Sequence, residues 1–428
     1  MSLIDKLNSY VQFNSAQYAQ VPIGATRVAT KGNGSNLYGT IPAWTATSWE
    51  IEFDIQFPTT AMNDKKILDG DATGVNKIDF ATTSGGKMSY NAAVVSSGTI
   101  DGVAFTPTVT AHPLDGAVHH IKLVGSTAVS VGTLLTRYSK DQKWATAIIS
   151  NLQLTDLGTP ENSRFYPLDE DIGTSVITDT SANAQHGTWF NRTSGNVVTV
   201  YPDAIKPGQE FYFAIKYKVT DVSQNGGYNN PFSIGRRASG AYSCISLYLP
   251  ESNGRFYVDP YNGTARTTGS GIMGKTMGVT HLDGLTHIAV VRLKTDGSYE
   301  FWTDSDTPKY TGVPNSQLAY AMDVINLNGY ANGTNGSVSK MGINFHYVYL
   351  YSSLSAGDVT ALMQGANPET VGTIRQGYDL NGNGNEVNGG NALTLYGSPT
   401  FFHIRHLLGA IGSPIYDSVV EHVDTTVK

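Results

Sequence analysis

Three acidic side chains stand at alternate positions of one short segment: Glu50, Glu52 and Asp54, within Trp49-Glu-Ile-Glu-Phe-Asp-Ile-Gln56. Alternation of apolar and polar residues predicts a strand, and residues two apart on a strand share a face. Carboxylates so placed are the raw material of glycoside hydrolysis, which needs two of them about 5–9 Å apart. One of the pair must also have a raised pKa, and so be partly buried. The plain alternative is a solvated strand face. No such trio occurs in the other strictly alternating segment, Phe211-Tyr-Phe-Ala-Ile-Lys-Tyr-Lys-Val219.

A second chemistry is suggested by Asp379-Leu-Asn381-Gly-Asn383-Gly384-Asn-Glu386. Oxygen-bearing side chains at alternate positions suit a hard cation, and the segment begins like a calcium loop. Position twelve is Gly390 rather than the bidentate Glu of a helix-loop-helix site. The candidate ligands for calcium are therefore Asp379, Asn381, Asn383 and Glu386, in a loop between strands. Asp169, Glu170, Asp171 and Asp179 form the corresponding acidic group earlier in the chain.

Other motifs lead away from catalysis. Gly269-Ser-Gly-Ile-Met-Gly274-Lys275-Thr276 fits the phosphate-loop expression, but no buried strand precedes it and no helix follows. A phosphate cradle requires both. The ten histidines show no metal-ligand spacing. His119 and His120 are adjacent on a predicted strand and point to opposite faces. Tyr242, Tyr248, Tyr257, Tyr261, Trp302 and Tyr310 are candidates for stacking on sugar rings, or for strand packing.

The elements that must hold these groups are strands. Charged residues make up 15% of the 428, against a usual ~25%. Gly (46) and Tyr (24) are abundant. Disordered chains are charged and poor in aromatics, and helical bundles are rich in Ala, Glu, Lys and Leu. Neither describes this chain. The net charge of −7 and the lack of a Lys/Arg cluster do not favour nucleic acid. Cys244 is the single cysteine, so no internal disulfide forms. No apolar run reaches the length of a membrane span. The opening Met-Ser-Leu-Ile-Asp-Lys-Leu lacks the pattern of a secretory leader.

The chain carries one series of landmarks twice. His112-Pro-Leu-Asp115-Gly116-Ala-Val-His119-His120-Ile121 is echoed by His281-Leu-Asp283-Gly284-Leu-Thr-His287-Ile288. Ile149 to Leu154 is echoed by Phe345 to Leu350, and Tyr166-Pro-Leu168 by Tyr378-Asp-Leu380. Turn signals fall every 8–12 residues or so, the spacing of a β-sandwich. Ser355-Ala-Gly-Asp358 reads as a capping box and predicts a short helix carrying Val359 and Leu362.

Four segments resemble the concanavalin A-like (laminin G/pentraxin-like) jelly-roll superfamily. They are Tyr10 to Pro22, Trp49 to Phe53, Val118 to Ile121, and Phe345 to Met363. The first looks like that superfamily's opening strand and the last like its closing strand and helix. The first copy departs from the pattern at Thr155-Asp156-Leu157, where the closing helix is missing; the second lacks a clear opening strand, and Asn196-Val-Val-Thr-Val200 is the candidate for it. Domains of this kind occur in lectin-like modules, glycan hydrolases and bacteriophage appendages, and fold alone does not choose among them.

The expectation is an all-β chain of two tandem concanavalin A-like jelly-roll β-sandwiches, residues 1–190 and 191–400, with 401–428 as a C-terminal tail or docking segment. The function expected is that of a bacteriophage virion structural protein without catalytic residues: a tail-fibre, receptor-binding or capsid-decoration component. Assembly in the host cytoplasm reconciles the polar composition with the absent leader and disulfides. Expected partners are other virion proteins, host surface glycans and further copies of the chain, not nucleic acid or membrane. The alternatives are a glycan-cleaving jelly-roll enzyme using Glu50, Glu52 and Asp54, and a purely architectural decoration protein.

Overall fold

Strands dominate the computed structural model, which describes residues 10–13, 17–70, 76–137, 139, 143–221, 229–236, 244–249, 257–261, 281, 283–305, 310–311, 319–330, 337–338, 341–380, 384–396, 399–406 and 418–423. All strand pairs among them are antiparallel, and one α-helix, Ala356–Met363, accompanies them. The chain divides into two compact units. One is Thr26–Pro202; the other combines Met1–Ala25 with Asp203–Lys428.

The Thr26–Pro202 unit is a sandwich of two sheets. In one, Trp49–Gln56 lies between Val118–Gly125 and Ile148–Asp156, and Ile148–Asp156 also pairs with Arg27–Lys31. In the other, Val129–Leu134 lies between Tyr38–Ala46 and Lys65–Asp69. Alternation works as expected: Trp49, Ile51, Phe53 and Ile55 are buried, while Glu50, Glu52 and Asp54 face away from the core. Those four meet Ile41, Leu68, Phe80 and Val131 of the facing sheet in one apolar cluster.

The discontinuous unit repeats this pairing scheme with other segments. Phe211–Asp221 lies between His287–Leu293 and Gly342–Ser353. Gly342–Ser353 also pairs with Tyr10–Phe13. In the second sheet Val324–Leu327 lies between Asn229–Gly235 and Tyr18–Pro22. Phe213, Ile215, Phe345 and Val348 join Val11, Phe13, Val21 and Ile325 in its core.

The expected division at 190/191 is therefore corrected. Tyr10–Phe13 and Tyr18–Pro22 open the discontinuous unit, where Val11 pairs with Phe345 and Val21 with Ile325. They supply the second copy's opening strand; the candidate for it, Asn196 to Val200, instead pairs through Val197–Val200 with Arg27–Lys31, where the first copy opens. The units are thus nested in the chain rather than in tandem. In both, the first strand pairs with the closing strand, a long-range contact to which sequence adjacency is blind. The 401–428 segment is not a free tail throughout. Thr400–His406 pairs with Tyr10–Phe13, and Ser418–Val423 pairs with Thr400–His406 at the sheet's edge.

The helix forms where its capping box placed it. The Ser355 hydroxyl accepts from the Asp358 N–H (3.1 Å), and the Asp358 carboxylate accepts from the Ser355 N–H (2.8 Å). Val359 and Leu362 pack with Tyr347, Tyr349 and Tyr351, which line the outer face of the closing strand Gly342–Ser353.

Candidate functional site

The repeated Leu-Asp-Gly…His-Ile landmark builds the same device in each unit. His119 donates from Nδ1 to Asp101 (2.7 Å) and from Nε2 to Asp115 (3.0 Å). His287 donates from Nδ1 to Asp304 (2.6 Å) and from Nε2 to Asp283 (3.0 Å). Carboxylates only accept, so placing one at each ring nitrogen favours the doubly protonated, cationic form of the ring. Both rings are buried, at 4% and 5% exposure. Their carboxylates are fixed by the backbone. Asp101 accepts from the His120 N–H and Asp304 from the Ile288 N–H, while Asp115 and Asp283 accept from the N–H groups of Ala117 and Leu285. Asp101 and Asp304 both lie in the left-handed region, at φ 50° and 48°. Aspartate tolerates that region better than most residues.

A neutral histidine stands beside the second clamp. The Tyr217 hydroxyl donates to His281 Nδ1, His281 Nε2 donates to Thr303 Oγ1 (3.3 Å), and Thr303 donates to Asp304 (3.4 Å). Burial first, and then the charge of His287, push His281 down to about 4. Burial also pulls His287 down, but hydrogen bonds to Asp304 and Asp283 outweigh it and leave its pKa raised. His112, the corresponding residue of the other unit, is buried with its pKa lowered by desolvation. It accepts from the Met62 N–H (3.0 Å) and stacks on Phe57.

Ligand atoms of His281, His287 and Asp304 lie within 4.8 Å of one another, close enough to ask whether they hold a metal. The two rings are stacked, 4.0 Å apart and 4° from parallel. A ring nitrogen binds a metal in its own plane at about 2.0–2.1 Å. Parallel rings so spaced cannot both aim a lone pair at one ion, and both His287 nitrogens already serve carboxylates. The cluster is an ionic clamp.

Glu50, Glu52 and Asp54 share a face, as expected, and each meets a cation. Lys122 reaches Glu50 (2.7 Å) and Glu52 (2.9 Å); Asp54 takes His120 (3.1 Å), Arg27 (2.9 Å) and the Asn151 amide (2.7 Å). The hydrogen bonds to Glu50 and Glu52 raise the pKa of Lys122. A general acid needs the opposite setting, an apolar one that keeps the proton on.

The described loop carboxylates accept hydrogen bonds from the backbone or from side chains. Glu386 is 8% exposed and accepts from the N–H groups of Gly377 (3.0 Å), Asn388 (2.7 Å) and Gly390 (3.0 Å). Asp379 accepts from the Tyr349 hydroxyl (2.5 Å). Asn381 and Asn383, the other two candidate calcium ligands, lie outside the described residues. In the earlier group, Glu170 takes the Thr178 N–H and the Trp189 indole, and Asp179 takes the N–H groups of Phe165, Ser181 and Gln185. Burial raises the Asp179 pKa, but the hydrogen bonds reverse this and leave it lowered.

Of the aromatic candidates, Trp302 is buried, in the cluster under the helix. The side chains of Tyr242, Tyr248, Tyr257, Tyr261 and Tyr310 and the Gly269–Thr276 motif lie outside the described residues. Two aromatic pairs that the sequence did not single out are partly exposed instead. Tyr38 stacks on Phe190, 4.7 Å apart and 12° from parallel, and Tyr18 on Tyr396, 4.3 Å apart and 6° from parallel. Each pair bridges two strands in direct register.

No family model and no curated protein matches the sequence. Among solved structures, the chain is similar to a SAP-like pentraxin from Limulus polyphemus, at 12% identity over 45% of this chain and 85% of that one, with a TM-score of 0.31. It is also similar to the LG4-5 domains of the mouse laminin alpha1 chain, at 11% identity over 76% and 89%, with a TM-score of 0.23. A third is the Ruminococcus gnavus IT-sialidase CBM40 bound to alpha2,6 sialyllactose, at 12% identity over 37% and 84%, with a TM-score of 0.23.

Proposed function

We propose that the chain is a non-catalytic binding component of a bacteriophage particle, whose β-sandwiches meet glycans on the host surface. The observation that carries the choice of binding over cleavage is the pairing of Glu50, Glu52 and Asp54 with Lys122, His120 and Arg27. These carboxylates sit among cations, whereas a glycosidase acid needs an apolar setting that keeps its proton on. The particle context is supported by the uncharged polar composition and the single cysteine. Other virion proteins and further copies of the chain are the partners this reading implies.

Glycan-array binding by the purified protein, with a reducing-end assay on the same glycans, tests the reading. Binding without release of reducing ends supports it. Release of reducing ends that disappears in Glu52→Gln replaces it with the enzyme. Immunogold labelling of purified particles checks the location, and unlabelled particles remove the virion assignment.

A further inference from the structure

The two exposed aromatic pairs occupy the same topological place. Tyr38 begins the strand Tyr38–Ala46, which pairs with Val129–Leu134 on one side and Gly187–Phe190 on the other. Tyr18 begins Tyr18–Pro22, which pairs with Val324–Leu327 on one side and Thr394–Tyr396 on the other. In both units the aromatic partner is the last residue of the short strand paired on that side.

Strand alternation turns all four rings away from the cores. Gly39 approaches the buried Trp189, and Ala19 lies in the other core, so Tyr38, Phe190, Tyr18 and Tyr396 lie on the opposite faces. Phe190 is 38% and Tyr396 37% exposed. Single exposed apolar side chains are ordinary. A flat, stacked pair recurring at one place in two units that differ in sequence is not a scattered single.

The neighbours on that face are uncharged and bear hydrogen-bonding groups. Two residues along, Thr40 faces the exposed Thr188 in one unit, and in the other the exposed Thr394 faces Gln20, which is buried and bonded to Asn326 (2.9 Å). Same-face positions on a strand are roughly 6.6 Å apart. Each patch therefore offers a planar π surface with hydroxyl groups beside it.

We propose that Tyr38/Phe190 and Tyr18/Tyr396 are two platforms for neutral pyranose rings, one in each unit. A pyranose with a face of C–H groups presents a weakly positive apolar surface to the negative face of an aromatic ring. Its equatorial hydroxyls project sideways, towards Thr188 or Thr394. This assignment rests on the glycan-binding reading above and places the binding on specific residues.

Saturation-transfer NMR on the full-length protein tests it, with methyl β-D-glucopyranoside, methyl β-D-galactopyranoside and methyl 2-acetamido-β-D-glucopyranoside as probes. The wild-type protein saturates the protons of the C–H face of at least one probe most strongly. The double variant Phe190→Leu/Tyr396→Leu keeps apolar bulk but loses the outer rings, and its affinity falls by about tenfold or more. Phe190→Trp/Tyr396→Trp restores binding. Each Leu variant is also made singly, so that a folding defect in one unit leaves the other as a test. Binding to the array or the probes that is unchanged in folded Leu variants overturns the platforms and leaves the glycan reading standing. A wild-type protein that binds neither probes nor array overturns both.

Discussion

His119 and His287 hold the same position in the two units, yet their second carboxylates come from opposite directions along the chain. Asp101 lies 18 residues before His119, and Asp304 lies 17 residues after His287. In one unit the strand beside the histidine is Ser97–Ile100, which precedes it; in the other it is Tyr299–Thr303, which follows it. Each strand runs antiparallel to its neighbour and ends one residue before the aspartate. Geometry is thus kept while chain order is not.

The two histidines of the discontinuous unit give stability a peaked pH profile. The His287 pKa is raised above 6.5. Its contribution is complete below about pH 6.5 and fades as the pH climbs through the folded value. The His281 pKa is lowered to about 4. Its contribution is complete above about pH 6.5 and shrinks as the pH falls towards 4. Asp283 and Asp304 have lowered pKa values, so the support they give is lost only in acid below the usual carboxylate range. Melting temperature followed across this range peaks near pH 6.5 where these groups dominate. His281→Asn is less stable throughout but loses the decline on the acid side, and His287→Gln loses the decline on the alkaline side. Unchanged slopes in both variants refute the clamp as described.

The acidic strand face behaves as a salt ladder. Lys122 and its partners Glu50 and Glu52 are each 27–35% exposed at the side chain, so solvent weakens the attraction. Lys122→Met costs no more than about 1 kcal/mol in denaturant unfolding, and the difference narrows in high salt. A cost of several kcal/mol, unaffected by salt, would point to a buried electrostatic role instead.

Glu386 is predicted to matter for folding more than for any ion. Three backbone N–H groups converge on its carboxylate, and hydrogen bonds to a charged group contribute about 1.5–3 kcal/mol each where buried. Glu386→Ala is expected to destabilise the protein by about 2–4 kcal/mol, with the shift the same in millimolar calcium and in chelator. A wild-type melting temperature that rises with calcium and a Glu386→Ala protein that no longer responds would restore the calcium loop.

Much of the fold was legible because alternation and capping are local. Glu50, Glu52 and Asp54 fell on one face, and Ser355 with Asp358 began a helix. What was not legible depends on pairing between distant segments. Nothing near Tyr10 says that its strand lies beside Phe345, and so the domain boundary was misplaced. Nothing near Tyr38 says that Phe190 will stack on it. The surroundings of the site candidates were hidden for a related reason. A carboxylate's type and spacing are visible, but the Lys122 ammonium or the Gly377 N–H that occupies it comes from another strand.

Tyr347 and Tyr351 sit on one strand and one face, and their hydroxyls differ in a way that gives opposite signs on removal. The Tyr351 hydroxyl donates to the Pro368 carbonyl (2.9 Å). The Tyr347 hydroxyl is buried and has no hydrogen-bond partner among the described residues. Burial raises the pKa of both phenols, and the Asp379 charge adds to it in each, so both stay neutral. A buried polar group without a partner costs about 1–3 kcal/mol, whereas a satisfied one contributes about 1 kcal/mol. Tyr347→Phe is therefore expected to raise stability by about 1 kcal/mol and Tyr351→Phe to lower it by about the same. Both keep the ring, and with it the packing under Val359 and Leu362. Urea unfolding of the two variants beside the wild type measures the signs. Destabilisation by Tyr347→Phe equal to that by Tyr351→Phe would show that the hydroxyl finds a partner, an ordered water being the natural one.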